Sequence, residues 1–431
     1  MTERVRTIRA KLPAILTCVA VLLGAGCAQE NPTEVGGSLL PGGVRTYEVI
    51  LDASRFVLED TSFSGFYDPR NTGFLMVARD FQGALNANIL ARLTIPTIVQ
   101  VRDSAGNARS DSTPTFTGGR VVLTFDTLAG QTQHNASLRV FRLAEEFDPN
   151  SAGWVLRLDT GDVEIPWARP GGTTGTPISP AVWQPGVDSL FFGVDSATVA
   201  AWADTLSPVR GLVIQAETPG TRLRAASVAL ILDIQSEIRP DTTFTTVVQP
   251  ISRVFVFDPQ PPDFAAGSIA GGTPGWRALL RLKERLDTLA LPCVDPLPGC
   301  TLPLGDAVIS AASLLFPAGA TVPGYAPEDS IPLGLRHVFA NPAVPIERAP
   351  LGNFAGNARN ASPSIFLGGG GDAEVPFGDY IRQFTDDDEA SPGVWVALVS
   401  APEGATFGHA SFPALPRLRL VITVGSELRL R

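Results

Sequence analysis

Two cysteines in the second half of the chain are well spaced to react with each other. Cys293 and Cys300 flank a segment rich in Pro and Gly, which is typical of a tight surface loop. In an oxidising compartment, such a pair forms a disulfide that closes the loop. The alternative is a zinc site, which needs four ligands, and no further Cys or His lies close in sequence. We therefore predict a Cys293–Cys300 disulfide.

A third cysteine, Cys27, ends the N-terminal segment and bears on where the protein goes. Four basic residues precede an apolar stretch over 12–23, and small residues lead from there to the cysteine. This order is that of a bacterial secretory signal whose cleavage exposes a cysteine for lipid attachment. The stretch is shorter than the roughly 20 residues of a membrane span, and Pro13 interrupts it. We predict a signal peptide over 1–26, a lipid on Cys27 and a flexible tether over 27–43.

Ala25-Gly26-Cys27 resembles the lipobox of bacterial lipoproteins. Gly24 departs from it, because a larger aliphatic residue is usual at that place. The alternative is an ordinary secretory signal in which the cysteine occurs by chance. Ala28 follows the cysteine, where an Asp tends to hold such proteins in the inner membrane. The resemblance therefore implies the outer membrane and leaves the leaflet open.

The charge of the chain disfavours some classes of partner. The 431 residues carry a formal net charge of −10, and removing residues 1–26 takes away four basic residues and one acidic residue. The mature chain is therefore more acidic still. A negative surface disfavours nucleic acid and anionic lipid headgroups. We expect no nucleic-acid partner and membrane contact through the lipid.

Sequence motifs of common enzymes are missing. The histidines, His134, His337 and His409, form no metalloprotease pattern, and there is no nucleophile elbow, phosphate-binding loop or dinucleotide fingerprint. Paired carboxylates for glycoside hydrolysis stay an open alternative, although no pair stands out. The acidic segments 159–162 and 386–389 are interpreted as a turn and a solvated loop rather than calcium sites. We predict no catalytic residue, metal site or cofactor.

The six tryptophans divide according to their neighbours. Three lie on strand or helix patterns and are expected in the core: Trp154, Trp202 and Trp395. Three lie in loops among Pro and Gly: Trp167, Trp183 and Trp276. Exposed loop aromatics suit the stacking of sugars, so the second set forms the candidate ligand-binding site. The alternative is that each of them covers one end of a sandwich.

The chain contains an internal duplication. Residues 89–93 match 278–282, and 207–220 match 391–404 without a gap. Further matches in the same order are Val199 and Trp202 with Ile381 and Phe384, and residues 228–232 with 418–422. A period this long indicates two homologous domains rather than a solenoid.

The fold class that we predict is all-β, with two tandem jelly-roll-like β-sandwich domains. Short apolar or alternating runs joined by Gly and Pro are typical of antiparallel strands. Each half also has one short helical pattern, which Asp195 and Asp379 are placed to cap. We place the domains at 44–238 and 247–431, separated where Pro240 breaks the pattern.

The second half resembles the DNRLRE-type domain, a bacterial β-sandwich related to carbohydrate-binding modules. The resemblance rests on the order of a Leu-Arg-Leu strand, the strand over 309–314, a short helix and the strand over 416–421. It covers most of 250–425 and, more faintly, 45–235. Residues 408–411 depart from the Ser-Arg-Glu-like strand that the family often has. The resemblance implies glycan as the favoured ligand class.

The N-terminal residues 31–41, with 67–69 after them, resemble a family of bacterial lipoproteins of unknown function. We expect a non-catalytic, lipid-anchored envelope protein that binds a polysaccharide or another surface ligand. The alternative is a structural or assembly lipoprotein that contacts other envelope proteins. A secreted enzyme acting on polysaccharides is the third possibility.

Overall fold

A computed structural model describes residues 45–63, 72–126, 132–258 and 267–424, apart from gaps in the last range. The gaps are residues 274, 284–285, 287–288, 293–300, 321–322, 327–330, 340–344, 347–348, 355–363, 367–370, 379, 382–394 and 401. Several predictions fall outside the described residues: the signal peptide, the tether and Cys27, the Cys293–Cys300 disulfide, Asp379, Phe384 and residues 386–389.

The first part of the described chain is almost entirely strand. Its elements are β1 (Arg45–Leu51), β2 (Val57–Phe63), β3 (Leu75–Phe81), β4 (Leu85–Arg92), β5 (Val99–Arg102), β6 (Ala108–Asp111), β7 (Thr115–Phe125), β8 (Ala136–Leu143), β9 (Leu156–Asp159), β10 (Glu164–Pro166), β11 (Thr174–Trp183), β12 (Ser189–Asp195), helix α1 (Ser196–Ala203), β13 (Gly211–Ala216), β14 (Thr221–Ser236), β15 (Arg239–Val248) and β16 (Ser252–Asp258).

The remaining part has the same character. Its strands are β17 (Ser268–Gly271), β18 (Arg277–Leu282), β19 (Ala290–Pro292), β20 (Thr301–Pro303), β21 (Val308–Pro317), β22 (Ile331–Val338), β23 (Leu351–Phe354), β24 (Ser364–Phe366), β25 (Asp372–Pro376), β26 (Trp395–Ser400), β27 (His409–Phe412) and β28 (Arg417–Val424). Three short 3-10 helices are Ala53–Arg55, Leu304–Asp306 and Glu403–Ala405, and residues 378, 380 and 381 are helical.

The predicted all-β sandwich class is confirmed. Every strand pairing in the described chain is antiparallel, apart from one isolated parallel bridge. Strand β8 illustrates the predicted alternation: Leu138 and Val140 are fully buried, while Arg139 between them lies at the surface. Such alternation gives a strand one apolar and one wet face. Asp195 caps helix α1 as predicted, its carboxylate accepting from the Thr198 N–H at 2.7 Å.

The first sandwich is formed by β3 to β16. Its strands follow the order β11-β8-β13-β4-β3-β14-β7-β12, with β16 added to β4 and β15 added to β14. The two ends of this sheet come together where β11 contacts β12. The core inside contains Leu123, Val140, Ile214 and the helix side chain Trp202, all with no exposed surface. Burying side chains of this size contributes about 1.5–3 kcal/mol each.

The second sandwich is formed by β17 to β28 together with β1 and β2. One sheet has the order β1-β28-β21-β25, and the other has the order β2-β18-β26-β22-β23, with β24 on β22. The core between them includes Leu280, Leu314, Val396 and Leu420, again fully buried.

Corresponding strands of the two sandwiches pair with corresponding neighbours and in the same register. Strand β13 pairs with β4 and β8, and β26 pairs with β18 and β22. Gly211 lies opposite Arg92 in the first sandwich, and Trp395 lies opposite Arg281 in the second. Arg92 and Arg281 therefore hold the same position, as the sequence match of 89–93 with 278–282 requires.

The first two strands of each half lie in the other sandwich. Strands β1 and β2 pair with β28 and β18, whereas their counterparts β15 and β16 pair with β14 and β4. Each sandwich is therefore completed by two consecutive strands from the opposite half of the chain, which pair with its strands and not with each other.

The boundary between the sandwiches consequently does not lie at 238–247, and the ranges 44–238 and 247–431 do not match the sheets. Residues 239–248 form β15, which continues the first sandwich in a hairpin with β14. Pro240 is tolerated there because β15 is an edge strand, where a missing N–H costs little. The first sandwich is thus continuous over 72–258, and the second is discontinuous.

Aromatic side chains join the two sandwiches. Phe257 of β16 lies 5.6 Å from Phe407, and Tyr325 stacks on Phe407 at 5.4 Å between ring centres. The Gly324 N–H donates to Gln82 Oε1 at 2.8 Å, and Arg222 Nη1 donates to the Ala326 carbonyl at 2.8 Å. The contact is both apolar and specifically hydrogen-bonded.

Candidate functional site: a tryptophan cleft on the first sandwich

The three loop tryptophans predicted to form a ligand site are buried. Trp167 is 5 % exposed, Trp183 is 3 % exposed and Trp276 is 2 % exposed. They lie far apart in the fold: Trp167 lies within the segment between β8 and β11, Trp183 ends β11, and Trp276 lies where the sandwiches meet. None of them offers a surface on which a sugar can stack, so the prediction that they form the binding site is wrong.

Their contacts explain the burial. Trp167 Nε1 donates to the Gly153 carbonyl at 3.0 Å, and Trp183 Nε1 donates to the Val187 carbonyl at 2.9 Å. Both rings thereby satisfy their single polar group and bury a large apolar area. Pro and Gly around them mark bends that turn the rings inward, so local composition indicated a turn and not exposure.

A small cleft on the outer face of the first sandwich offers a different tryptophan. The segment between β8 and β11, residues 144–173, folds back over that face and packs on Leu90, Val213 and Val254. At the edge of this covering segment lies a cleft of about 100 Å³. The cleft is lined by Ala78, Arg79, Asn86, Asn88, Trp154, Pro170, Gln215 and Ala216.

Trp154 is half-buried, so one part of its ring packs on the cover while another faces the cleft. Its carbonyl accepts from the Gly171 N–H at 2.7 Å, and the Gly171 carbonyl accepts from Asn88 Nδ2 at 2.8 Å. Gly171 has φ +85°, and a Cβ there would lie 2.7 Å from the Trp154 ring. Only glycine suits this contact, which positions the ring against β4.

The floor of the cleft carries amide side chains. Val213 lies opposite Leu90, which places Gln215 and Asn88 on the same outer face of β13 and β4. Asn86 Oδ1 accepts from the Asp80 N–H at 3.1 Å, which fixes the turn between β3 and β4. The Gln215 side-chain amide makes no hydrogen bond to another described residue. Amides that both donate and accept suit the hydroxyl groups of a ligand.

An acidic side chain secures the cover at its base. Glu145 accepts from the Ala168 N–H at 2.9 Å and from the Thr173 hydroxyl. Burial alone would raise the pKa of Glu145, but these hydrogen bonds and the charge of Arg157 outweigh it and hold the pKa below its usual range. The carboxylate is therefore ionised near neutral pH and links both ends of the covering segment.

No group of three or more His, Cys, Asp or Glu side chains that could hold a metal occurs among the described residues. The segment 159–162 is a turn, as interpreted from the sequence: the Gly161 N–H donates to Asp159 Oδ1 at 2.9 Å. Burial lowers the pKa of His409 to about 4, and that histidine has no exposed surface. The side chains that line the cleft offer a partly exposed indole for stacking and amide and guanidinium groups for hydrogen bonds.

Sequence patterns placed Trp154 in the core with Trp202 and Trp395. Trp202 is indeed fully buried, whereas Trp154 and Trp395 are only half-buried. A signal for the cleft was present in β4, where Asn86 and Asn88 alternate with buried apolar residues. Two amides on one face of an otherwise apolar strand indicate a polar feature on that face.

No protein-family model, curated protein or solved structure matches this chain. The resemblances to the DNRLRE-type domain and to bacterial lipoproteins therefore stay predictions. No helix among the described residues is long and apolar enough to cross a membrane.

Proposed function

We propose that this protein is a non-catalytic, lipid-anchored protein of the bacterial outer membrane that binds a sugar residue of a polysaccharide in the Trp154 cleft. Attachment through Cys27 and export by residues 1–26 are part of this proposal. The observation that carries the binding function is a half-buried indole that meets amide side chains in a cleft of about 100 Å³.

The chemistry of the lining favours an uncharged, hydroxylated ligand. The indole supplies a flat apolar surface for the C–H face of a sugar ring. Asn88 and Gln215 supply donors and acceptors for hydroxyl groups. The only cation in the lining, Arg79, is exposed and pairs with Asp80 at 3.3 Å, so its charge is partly compensated.

Retention on a panel of bacterial and plant polysaccharides tests the proposal. Stacking contributes about 0.5–1.5 kcal/mol per ring, so we expect micromolar to millimolar affinity. Trp154→Ala should weaken binding about tenfold, and Gln215→Leu should weaken it less. The matched control is Trp395→Ala, which removes a half-buried tryptophan of the second sandwich. Equal loss in both tryptophan variants, or no binding by the parent chain, would exclude the cleft as a sugar site.

An assembly function is the second candidate, and one surface favours it. On the outer face of the sheet containing β7, Phe191 is 57 % exposed and lies opposite Val122, which in turn lies opposite Ala229. This apolar row suits contact with another envelope protein. If Phe191→Asp abolishes a specific crosslink in cells while polysaccharide retention is absent throughout, assembly replaces binding as the function.

A further inference from the structure

Hydrogen bonds within the protein fix which end of the Asn88 amide is left for a ligand. Asn88 Nδ2 donates to the Gly171 carbonyl at 2.8 Å. A carbonyl oxygen only accepts, so the nitrogen end of the amide must face Gly171 and the oxygen end is left over. The side chain is 6 % exposed and lines the cleft, so burial holds it in this orientation. Asn88 therefore presents an acceptor to the cleft.

The Asn86 amide has the opposite orientation. Asn86 Oδ1 accepts from the Asp80 N–H at 3.1 Å, and because an N–H only donates, the oxygen end must face the turn. One proton of Asn86 Nδ2 is directed to the Ala84 carbonyl at 3.5 Å, the limit of a hydrogen bond, and the other is left for a ligand. Asn86 and Asn88 lie on one face of β4, with Cα atoms about 7 Å apart. A donor and an acceptor therefore lie side by side in the cleft.

The rest of the lining includes a small apolar surface. Ala78, Pro170 and Ala216 line the cleft together with the Trp154 ring. The two alanines are almost fully buried, at 2 % and 5 % exposure. A methyl group gains from such a surface, whereas a hydroxyl group placed there would lose its hydrogen bonds to water.

We propose that the cleft recognises the acetamido group of an N-acetylated sugar, an inference that rests on the proposed sugar-binding function. The N–H of that group donates to Asn88 Oδ1, its carbonyl accepts from Asn86 Nδ2, and its methyl packs against the alanines and the indole. In a trans amide the N–H and the C=O point in opposite directions, so one acetamido group joins both side chains. A hydroxyl group supplies no methyl, and a carboxylate has no proton to donate to Asn88.

Matched pairs of sugars test this recognition directly. The methyl glycosides of N-acetylglucosamine and N-acetylgalactosamine are compared with those of glucose and galactose, by titrating the indole N–H signal of Trp154 in the ¹⁵N-labelled protein. We expect each acetamido sugar to bind roughly tenfold more tightly than its hydroxyl counterpart. In saturation-transfer experiments, the acetyl methyl protons should receive the largest share of the saturation.

The outcomes separate this inference from the proposed function. Equal affinity for acetamido and hydroxyl sugars would overturn the inference and leave the cleft a sugar site. Tighter binding of methyl glucuronide would also overturn it, because the ligand would then be selected by the guanidinium of Arg79. No shift with any of these sugars would overturn it as well, and retention on polysaccharides that depends on Trp154 would still support the proposed function.

A substitution in the cleft tests the role of the donor. Asn86→Asp keeps the oxygen that accepts from Asp80 and replaces the donor by a second oxygen. The preference for acetamido sugars should fall to about equal affinity. The matched control is Gln82→Glu, which adds the same charge in the same turn, where Gln82 Oε1 accepts from the Gly324 N–H and lies outside the cleft lining. With both variants folded by thermal unfolding, an unchanged preference in Asn86→Asp, or an equal loss in Gln82→Glu, would overturn the inference.

Discussion

The two sandwiches differ most on the outer face where the first one has its cleft. Arg277 of β18 holds the position that Asn88 holds in β4, four residues before Arg281 and Arg92 respectively. Arg277 donates twice to Glu403, at 2.7 and 2.9 Å, and both side chains are largely buried. Val399 of β26 takes the place of Gln215. One face carries Asn88, which donates to the Gly171 carbonyl, and Gln215, whose amide makes no hydrogen bond to another described residue, whereas the other face is closed by an ion pair and an apolar side chain.

The corresponding strands β4 and β18 pair in the same way with β13 and β26, so the difference between the two faces lies in their side chains and in the segment over 144–173, which adds Trp154 and Pro170 to the cleft. Arg277 and Glu403 use their donors and acceptors to bond each other, whereas the amide of Gln215 has donors and an acceptor that a ligand could bond.

The largest difference that we expect between the sandwiches is in their response to acid. His409 holds in the second sandwich the position that Arg222 holds in the first. His409 lies opposite Gly271, which bridges to Trp276. In the same way, Arg222 lies opposite Ala78, which lies opposite Ala87. Burial lowers the pKa of His409 to about 4, so the unfolded chain binds a proton between pH 6.5 and 4 that the folded chain does not. The contribution of neutral His409 to the free energy of unfolding should be complete above pH 6.5. The free energy of unfolding should then fall by about 3 kcal/mol as the pH drops to 4.

Denaturant unfolding of the parent chain and of His409→Phe at pH 7.0, 6.0 and 5.0 measures this effect. The ring fits among the aromatic neighbours of His409, of which Trp276 lies 5.0 Å away between ring centres. The variant should lose the slope between pH 6.5 and 5. An unchanged slope would mean that His409 does not cause the loss of stability in acid.

The second prediction breaks the cleft without touching the second sandwich. Gly171→Ala introduces a Cβ that would lie 2.7 Å from the Trp154 ring, at a φ of +85° that side chains rarely adopt. We expect a loss of stability of about 2 kcal/mol and loss of polysaccharide retention. Gly153→Ala is the control, because nothing lies within 4 Å of a Cβ at Gly153. Thermal unfolding that is alike for both variants would contradict the described packing of the ring.

The third prediction concerns the ion pair that replaces the cleft. Glu403→Ala removes two charge-assisted hydrogen bonds from Arg277 and should cost about 1–3 kcal/mol. Glu217→Ala is the control in the first sandwich, where Glu217 and Arg139 are both more than a third exposed. That pair should contribute less than about 1 kcal/mol. If both variants lose the same free energy of unfolding, burial does not strengthen the Arg277–Glu403 ion pair.

Strand formation and the duplication could be predicted from sequence because both depend on local patterns. Apolar alternation gives β8 its two faces, and the match of Arg92 with Arg281 identified strands that proved to share one register. The exchange of the first two strands between the sandwiches could not be predicted in this way. Val49 of β1 lies opposite Leu420 of β28, and Val248 of β15 lies opposite Leu230 of β14, so these facing residues do not tell one sandwich from the other.

The proposed cleft contains a tryptophan, the residue type that the sequence analysis assigned to a ligand site, but it is Trp154 and not one of the three assigned there. Whether a tryptophan is exposed depends on which segment folds over it, and that is a long-range property. Trp167 and Trp154 belong to the same covering segment, yet Trp167 is buried and Trp154 lines the cleft. Their neighbours in sequence do not distinguish them, whereas the alternation of Asn86 and Asn88 in β4 could have located the site.

The indole N–H signals of the six tryptophans test the central claim most directly. The chain is labelled with ¹⁵N and titrated with a short oligosaccharide cut from the polysaccharide that retains it. The account predicts that one indole signal shifts in proportion to binding, and that Trp154→Phe removes that signal. The signals of the buried Trp167, Trp183 and Trp276 should stay in place. A shift of the Trp395 signal with no change at Trp154 would contradict the account, because it would place the ligand on the second sandwich.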